Sequence, residues 1–245
     1  MNSEAFCFLH FYLTTYRSVG IILSALGGDG LEKCSTKREI LKTALDMFSQ
    51  QGYEATSVSQ IADAVGIRKA SVYSHFGSKQ EILDELVKIG FGEYGRHFVF
   101  ARADWDDPVF IKEMQSITSE ELLQMILEHV RYILHDPQIS KSRRMLTIEQ
   151  FRNPKLKELQ TKQNYTDVMG YFTGLTRFLI RCGRLMDGDP EITAAQLCLP
   201  VSVWINLCDR EPQREDEVME LIERHIRRFF KMYGTVVLLT GAETK

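Results

Sequence analysis

The stretch SVSQIADAVGIRKASVYSHFGSK, residues 57–79, decides the architecture of its part of the chain. Ser57 followed by Gln60 is a capping box: the hydroxyl and the amide each satisfy an orphan N–H where a helix starts. Val58, Ile61, Ala62 and Val65 then recur at one-turn spacing and give that helix an apolar face. Gly66 supplies the backbone freedom for a tight turn. A second helix follows, with Val72, Tyr73 and Phe76 read as its inward side, and Gly77-Ser78 closes it. The unit is helix, sharp turn, helix.

The outward side of the second helix has a distinct chemistry. Arg68, Lys69, Ser71, Tyr73, Ser74, His75 and Lys79 are donors or short polar side chains, and no acidic residue lies between Arg68 and Lys79. Arg68, Lys69 and Lys79 make this segment locally positive within a chain of formal net charge −3. Phosphate attraction decays over about 8 Å at physiological salt, so local clustering matters more than the total. A buttressed helix carrying this surface suits the major groove of duplex DNA.

On both sides the chain continues as helix. Ile40, Leu41, Ala44, Leu45 and Phe48 form a preceding helical face that stops at Gly52, a C-cap position. Ser78 caps a fourth helix, with Glu81, Asp84 and Glu85 near its positive dipole end. Trp105-Asp106-Asp107-Pro108 reads as a loop. Beyond it, long amphipathic segments cover 119–135, 138–152, 155–186, 191–209 and 214–233, punctuated by Asp136-Pro137, Asn153-Pro154, Gly188-Asp189-Pro190 and Glu211-Pro212. No strand alternation or internal repeat interrupts them. The expected fold class is all-α, a small N-terminal head on a larger helical body.

The residues from Gly52 to Leu83 also carry a resemblance. Gly52-Tyr53-Glu54-Ala55-Thr56-Ser57, Ile61-Ala62, Ala64-Val65-Gly66-Ile67, Val72-Tyr73-Ser74-His75-Phe76, Lys79 and Leu83 resemble, without a gap, the DNA-binding domain of TetR-family regulators. The resemblance covers about residues 37–86. It implies a three-helix head, a helical body that binds a small molecule and dimerises, and repression relieved by that molecule. It further implies positions near bases for Arg68, Lys69, Ser71 and Ser74, phosphate contacts from Thr56, Ser57, Tyr73, His75 and Lys79, and a place for Ala70 in the same DNA-binding set. Two positions depart from the family pattern. Arg68 stands where a capping Ser or Thr is common, and Ala70 where Gly or Pro is frequent. The recognition helix should therefore begin with weaker local capping, and the operator sequence is harder to guess.

The expected organisation is an apolar extension at 1–34, a DNA-binding head at 35–82, an effector-binding and dimerisation body at 83–237, and a tail at 238–245. Within the body, Met125, Tyr132, Phe151, Tyr165, Met169, Phe172, Thr173, Arg177 and Trp204 are candidates to line an effector cavity, against the plainer reading that such spacing is core. Arg177 and Arg181 would anchor an anion, snorkel outward, or pair with Glu149. Residues 192–208 are apolar nearly all round, so that helix must be buried on more than one side, and Pro200 should kink it. The last two long helices suit a two-fold interface, and a dimer suits a palindromic operator whose half-sites lie about 34–36 Å apart.

Other classes find less support. The five cysteines are scattered and include no C-x-x-C pair, and the six histidines form no H-x-x-x-H or H-E-x-x-H pair. No metal, cofactor or disulfide framework is expected, and free thiols suit a reducing cytoplasm. Nucleophile elbow, phosphate loop and dinucleotide fingerprint are all missing, so no enzymatic activity is expected. Residues 5–26 are apolar but carry Glu4 before them and His10 and Arg17 within them, which suits neither a signal peptide nor a membrane span. A peripheral extension is favoured, or a start at Val19, Leu23 or Leu31. A membrane-attached regulator, and a DNA-binding protein of this fold with a chromosome-organising role or a protein partner and no effector, are the alternatives.

Overall fold

The computed structural model of the chain describes residues 31–97, 111 and 117–240. The extension before residue 31, the loop expected at 105–108 and the last residues of the tail lie outside the described residues. Among those that are described there is no strand, only a single antiparallel bridge between Leu185 and Gly234.

Four helices make the head: α1 (Leu31–Gln51), α2 (Val58–Val65), α3 (Lys69–Tyr73) and α4 (Lys79–His97). The body follows as α5 (Ser119–His135), α6 (Pro137–Glu149), α7 (Pro154–Thr161), a π-helical turn at Lys162–Thr166, α8 (Asp167–Arg181), α9 (Pro190–Arg210), α10 (Glu215–Tyr233) and the short α11 (Val236–Thr240). The segment read as one run over 155–186 is thus broken by the π-turn and ends at Gly183, whose φ is +66°.

Three body helices start by the same device. Asp136, Asn153 and Asp189 are extended N-caps followed by Pro at the first helical position. Their side-chain oxygens accept N–H groups of the first turn, as from Asp136 Oδ1 to Ile139 N at 2.9 Å. Pro costs nothing there, because its missing N–H would have had no partner. Thr118 and Glu121 start α5 with a reciprocal capping box.

Apolar side chains gather in two clusters. The head cluster includes Ile40, Leu45, Phe48, Ile61, Val72, Phe76, Ile82, Leu83 and Leu86, but also Met145, Leu146 and Leu156 from α6 and α7. A boundary at 82/83 therefore falls within α4, whose Leu83 and Leu86 belong to the head cluster. The body cluster includes Leu122, Leu127, Leu179, Val201, Ile222, Phe229 and Phe230, with α11 closing it through the buried Leu238. Helix α9 is long and apolar enough by composition to cross a membrane, yet its apolar residues divide between this core and an outer face. Thr193, Leu197, Val201 and Ile205 point inward, while Ile192 and Val203 are exposed, Val203 by 63%. Among the described residues of one chain, α9 is covered on one side and not on more than one as expected.

Candidate nucleic-acid interface

The capping box forms as the sequence requires. Gln60 N donates to Ser57 Oγ at 3.2 Å, and Ser57 N donates to Gln60 Oε1 at 2.7 Å. Gly66 takes the left-handed conformation at φ 78°, ψ 28°, and Ile67 N donates back to Ala62 O at 3.0 Å. This is a Schellman closure. It turns the chain in two residues and delivers it to Arg68, the extended N-cap of α3, whose side chain makes no capping bond. The guanidinium is therefore left to face outward.

Helix α3 is short and held from below. Val72 and Phe76 are almost wholly buried against α1 and α4. Arg68, Lys69, Ala70, Tyr73 and Ser74 are exposed on the other side, with Ser71 and His75 half-buried. Ser74 Oγ donates to Ser71 O at 2.7 Å, which fixes that hydroxyl against the helix end. Of its two expected placements, inward with Val72 and outward with Arg68, Tyr73 takes the outward one: it is 46% exposed, and Lys69 Nζ lies 6.0 Å from its ring centroid. The reason is phase. Val72 and Phe76 are four apart and own the buried stripe, so Tyr73 projects about 100° away from it.

Two expected phosphate ligands turn out to be internal braces. Thr56 is 1% exposed; its Oγ1 donates to Gly52 O at 2.8 Å and accepts from Gln51 Nε2 at 3.0 Å. Its side chain has no surface to offer DNA. Lys79 Nζ donates to Tyr53 O at 2.8 Å and Thr56 O at 3.0 Å, and sits 4.1 Å from the Tyr53 ring centroid. It ties the start of α4 to the loop before α2, and its charge reaches the surface only in part. Ser57 is exposed, though its hydroxyl is engaged as an N-cap. The free positive charge of the face thus comes from Arg68 and Lys69.

The body holds a partly open cavity of about 140 Å³ between α5, α6, α8, α9 and α10. Of the expected lining, Met125 and Phe172 face it. Phe151 and Tyr165 are corrected to surface residues, 87% and 55% exposed. Arg177 and Arg181 are likewise exposed, Arg181 lying 5.5 Å from the Phe178 ring centroid. Tyr132 and Trp204 pack against the body core away from the cavity, Trp204 edge-on to His225. Met169 is buried, its sulfur 3.8 Å from Cys198 Sγ. The lining that sequence reading missed includes Ser142 and Arg143 on α6, which only the packing of α6 against α5 and α9 brings inward.

Helix α6 touches both halves. Arg143 grips Asp209 with two bonds, 2.6 and 2.8 Å, and donates to Ile133 O at 3.0 Å. One turn and a half later, Glu149 is wholly buried and accepts Tyr53 N–H of the head at 2.8 Å. Lys141 pairs with Asp46 of α1, and Lys155 with Asp84 of α4 at 2.6 Å. No cluster of metal-ligating side chains is present among the described residues.

Among the described residues the chain is helical, and its head carries a helix-turn-helix. Residues 40–86 match the family model described as bacterial regulatory proteins, tetR family. The head is thus similar to the DNA-binding domain of that family, over about a fifth of the chain. It is 44% identical over 68 residues to the HTH-type transcriptional repressor KstR2 of Mycobacterium tuberculosis, covering 28% of this chain and 32% of that one. To the HTH-type transcriptional regulator AcrR of Shigella flexneri it is 27% identical over 131 residues, 49% of this chain and 61% of that one. The chain thus spans a third to three-fifths of the length of these curated relatives. The fold of SmeT, repressor of the Stenotrophomonas maltophilia multidrug efflux pump SmeDEF, is similar across 85% of this chain and 95% of that one, with TM-score 0.58 at 17% identity. SmeT has also been solved as a complex with triclosan; that structure covers 86% of this chain and 99% of its own, with TM-score 0.56 at 19% identity.

Proposed function

We propose that this chain is a transcriptional repressor that binds a palindromic operator as a homodimer and is released by a small molecule. The observation that carries the reading is the rigid α3 face: Arg68, Lys69, Ala70 and Ser74 stand exposed above a fully buried Val72 and Phe76. Base edges and phosphates demand such a surface, because side chains on a yielding support would lose their binding energy to ordering. The similarity of the head to KstR2, a transcriptional repressor, supports the sign of the regulation.

Homodimerisation is supported by the outer side of α9 and the end of α10. Ile192, Val203, Met232 and Val236 are large apolar side chains left in water. A second copy of the chain covers such a surface at a two-fold axis and sets two heads on one side of a duplex. The reading places the protein in the cytoplasm, with DNA.

Effector response is supported by the cavity and by the SmeT–triclosan complex. Helix α6 offers the route: its first half lines the cavity, and its Met145, Leu146 and Glu149 are built into the head. A ligand that repositions α6 changes the angle of the head, and with it the distance between the paired α3 helices. No catalytic role is assigned to any residue.

A mobility shift tests the proposal. Purified chain should retard a short palindromic duplex taken from beside its own gene, with affinity falling steeply in salt. Lys69→Ala combined with Ser71→Ala should abolish the shift. Retention of full binding by that double variant overturns the groove assignment.

A further inference from the structure

The cavity also carries information about the chemistry of what fills it. Among the described residues, its lining contains no aspartate or glutamate. Its guanidinium, Arg143, is already met by both carboxylate oxygens of Asp209 and by Ile133 O, at 2.6–3.0 Å. A cationic ligand would therefore enter a low-dielectric space with no counter-charge, and an anion would have to displace a buried bidentate pair. Most polar side chains around the cavity are neutral, and two of them are spent on backbone carbonyls. Ser202 Oγ donates to Cys198 O at 3.2 Å, and Asn206 Nδ2 to Ser202 O at 2.9 Å. Ser142 is different: its hydroxyl oxygen is buried and has no hydrogen-bond partner.

From these features we infer that the cavity takes a small, uncharged, mainly apolar molecule of single-ring size with one hydroxyl or carbonyl group, which hydrogen-bonds Ser142. The inference rests on the effector-responsive reading above and names the ligand class of that site. Size follows from the volume, since about 150 Å³ of apolar cavity accommodates a benzene ring. Neutrality follows from a described lining without a carboxylate and from the occupied guanidinium. The single polar group follows from Ser142, whose buried hydroxyl gains a partner only when the ligand brings one.

Four probes that share one ring separate these features: p-cresol, toluene, p-toluate and 4-methylbenzylammonium. Titration calorimetry on the full chain without DNA should rank p-cresol first. Toluene should bind about tenfold more weakly, the value of one hydrogen bond, and the two ions should not bind. Ser142→Ala should bring p-cresol down to the level of toluene and leave toluene unchanged, which also shows that the variant is folded. Ser142→Thr, which keeps the hydroxyl, should restore the preference. The inference is overturned if either ion binds as tightly as p-cresol, if Ser142→Ala preserves the p-cresol preference, or if none of the four binds. A parallel mobility shift keeps the two readings apart. Release of DNA by a charged effector retains the regulator and removes this ligand class. Tight p-cresol binding with no effect on DNA does the reverse.

Discussion

Glu149 Oε1 accepts the backbone N–H of Tyr53 at 2.8 Å, across 96 positions of sequence. The carboxylate stands at the end of α6 and the N–H belongs to the turn that enters the helix-turn-helix. Gly52, one residue before, has φ +88°, and a Cβ there would lie 2.6 Å from the same Glu149 oxygen. The turn and the body helix are thus fitted to one another at atomic contact.

Gly52→Ala should therefore be costly for two independent reasons, a strained φ and a collision with Glu149. Chemical denaturation should show a loss of at least about 1–3 kcal/mol. Glu149→Gln keeps an acceptor and should lose less than Glu149→Ala, which leaves Tyr53 N–H buried without a partner at about 1–3 kcal/mol. Equal effects of the two Glu149 variants would show that the contact contributes nothing.

Arg68, Lys69 and Lys79 should separate by kind of effect. Arg68→Ala and Lys69→Ala should leave the melting temperature within a degree or two and weaken DNA binding, each reducing the slope of log K against log salt by about 1. Lys79→Ala should lower the melting temperature, because it removes bonds to Tyr53 O and Thr56 O. A salt slope altered only by Lys79→Ala would reverse these roles.

Burial pushes the Cys198 thiol up to about 11. Since the thiolate is the reactive form, only ~0.1% would be available at pH 8, against roughly a quarter of an ordinary thiol. Peptide mapping after alkylation of the native protein should find Cys198 unmodified at pH 8, with labelling rising toward pH 11 and complete in denaturant. Rapid native labelling at pH 8 would place this thiol in solvent.

The hydrogen bond from Lys155 holds the Asp84 carboxyl below the usual range. A depressed carboxylate adds stability above its unfolded value near 3.9 and loses it as pH falls through the folded value. Both side chains are largely exposed, so the gain is below about 1 kcal/mol. Asp84→Asn should cost a few tenths of a kcal/mol at pH 7 and nothing near pH 2. A deficit that persists unchanged into acid would point to packing instead of charge.

Val203→Asp should break the proposed homodimer while leaving the monomer folded, since Val203 is 63% exposed within its own chain. Sedimentation would register the change in mass. A variant that stays dimeric moves the interface away from α9.

Local signals account for what the sequence made legible. The Ser57 capping box, the Gly66 turn, the weakly capped Arg68 and the three Asx-Pro helix starts each depend on residues within one turn of each other. Helix phase was harder at the edge of α3, where a five-residue helix gives too few repeats to place Tyr73. Thr56 and Lys79 were legible as polar but not as braces, because their partners are backbone carbonyls that carry no sequence signature. The cavity was the least legible. Phe151 and Tyr165 resemble lining by type alone, whereas Ser142 and Arg143 sit on a helix whose rotation is set by contacts with α1, α5 and α9. Glu149 was legible only as a candidate partner of Arg177 or Arg181; its actual partner, the Tyr53 N–H, carries no sequence signature.

The central claim is that α3 reads a duplex groove, and selection of bound duplexes from a randomised pool tests it most directly. Wild-type chain should enrich a two-fold symmetric motif whose halves repeat about one helical turn apart. The Lys69→Ala, Ser71→Ala variant should enrich none. Enrichment of the same motif by both proteins, or of no motif by the wild type, would contradict the account.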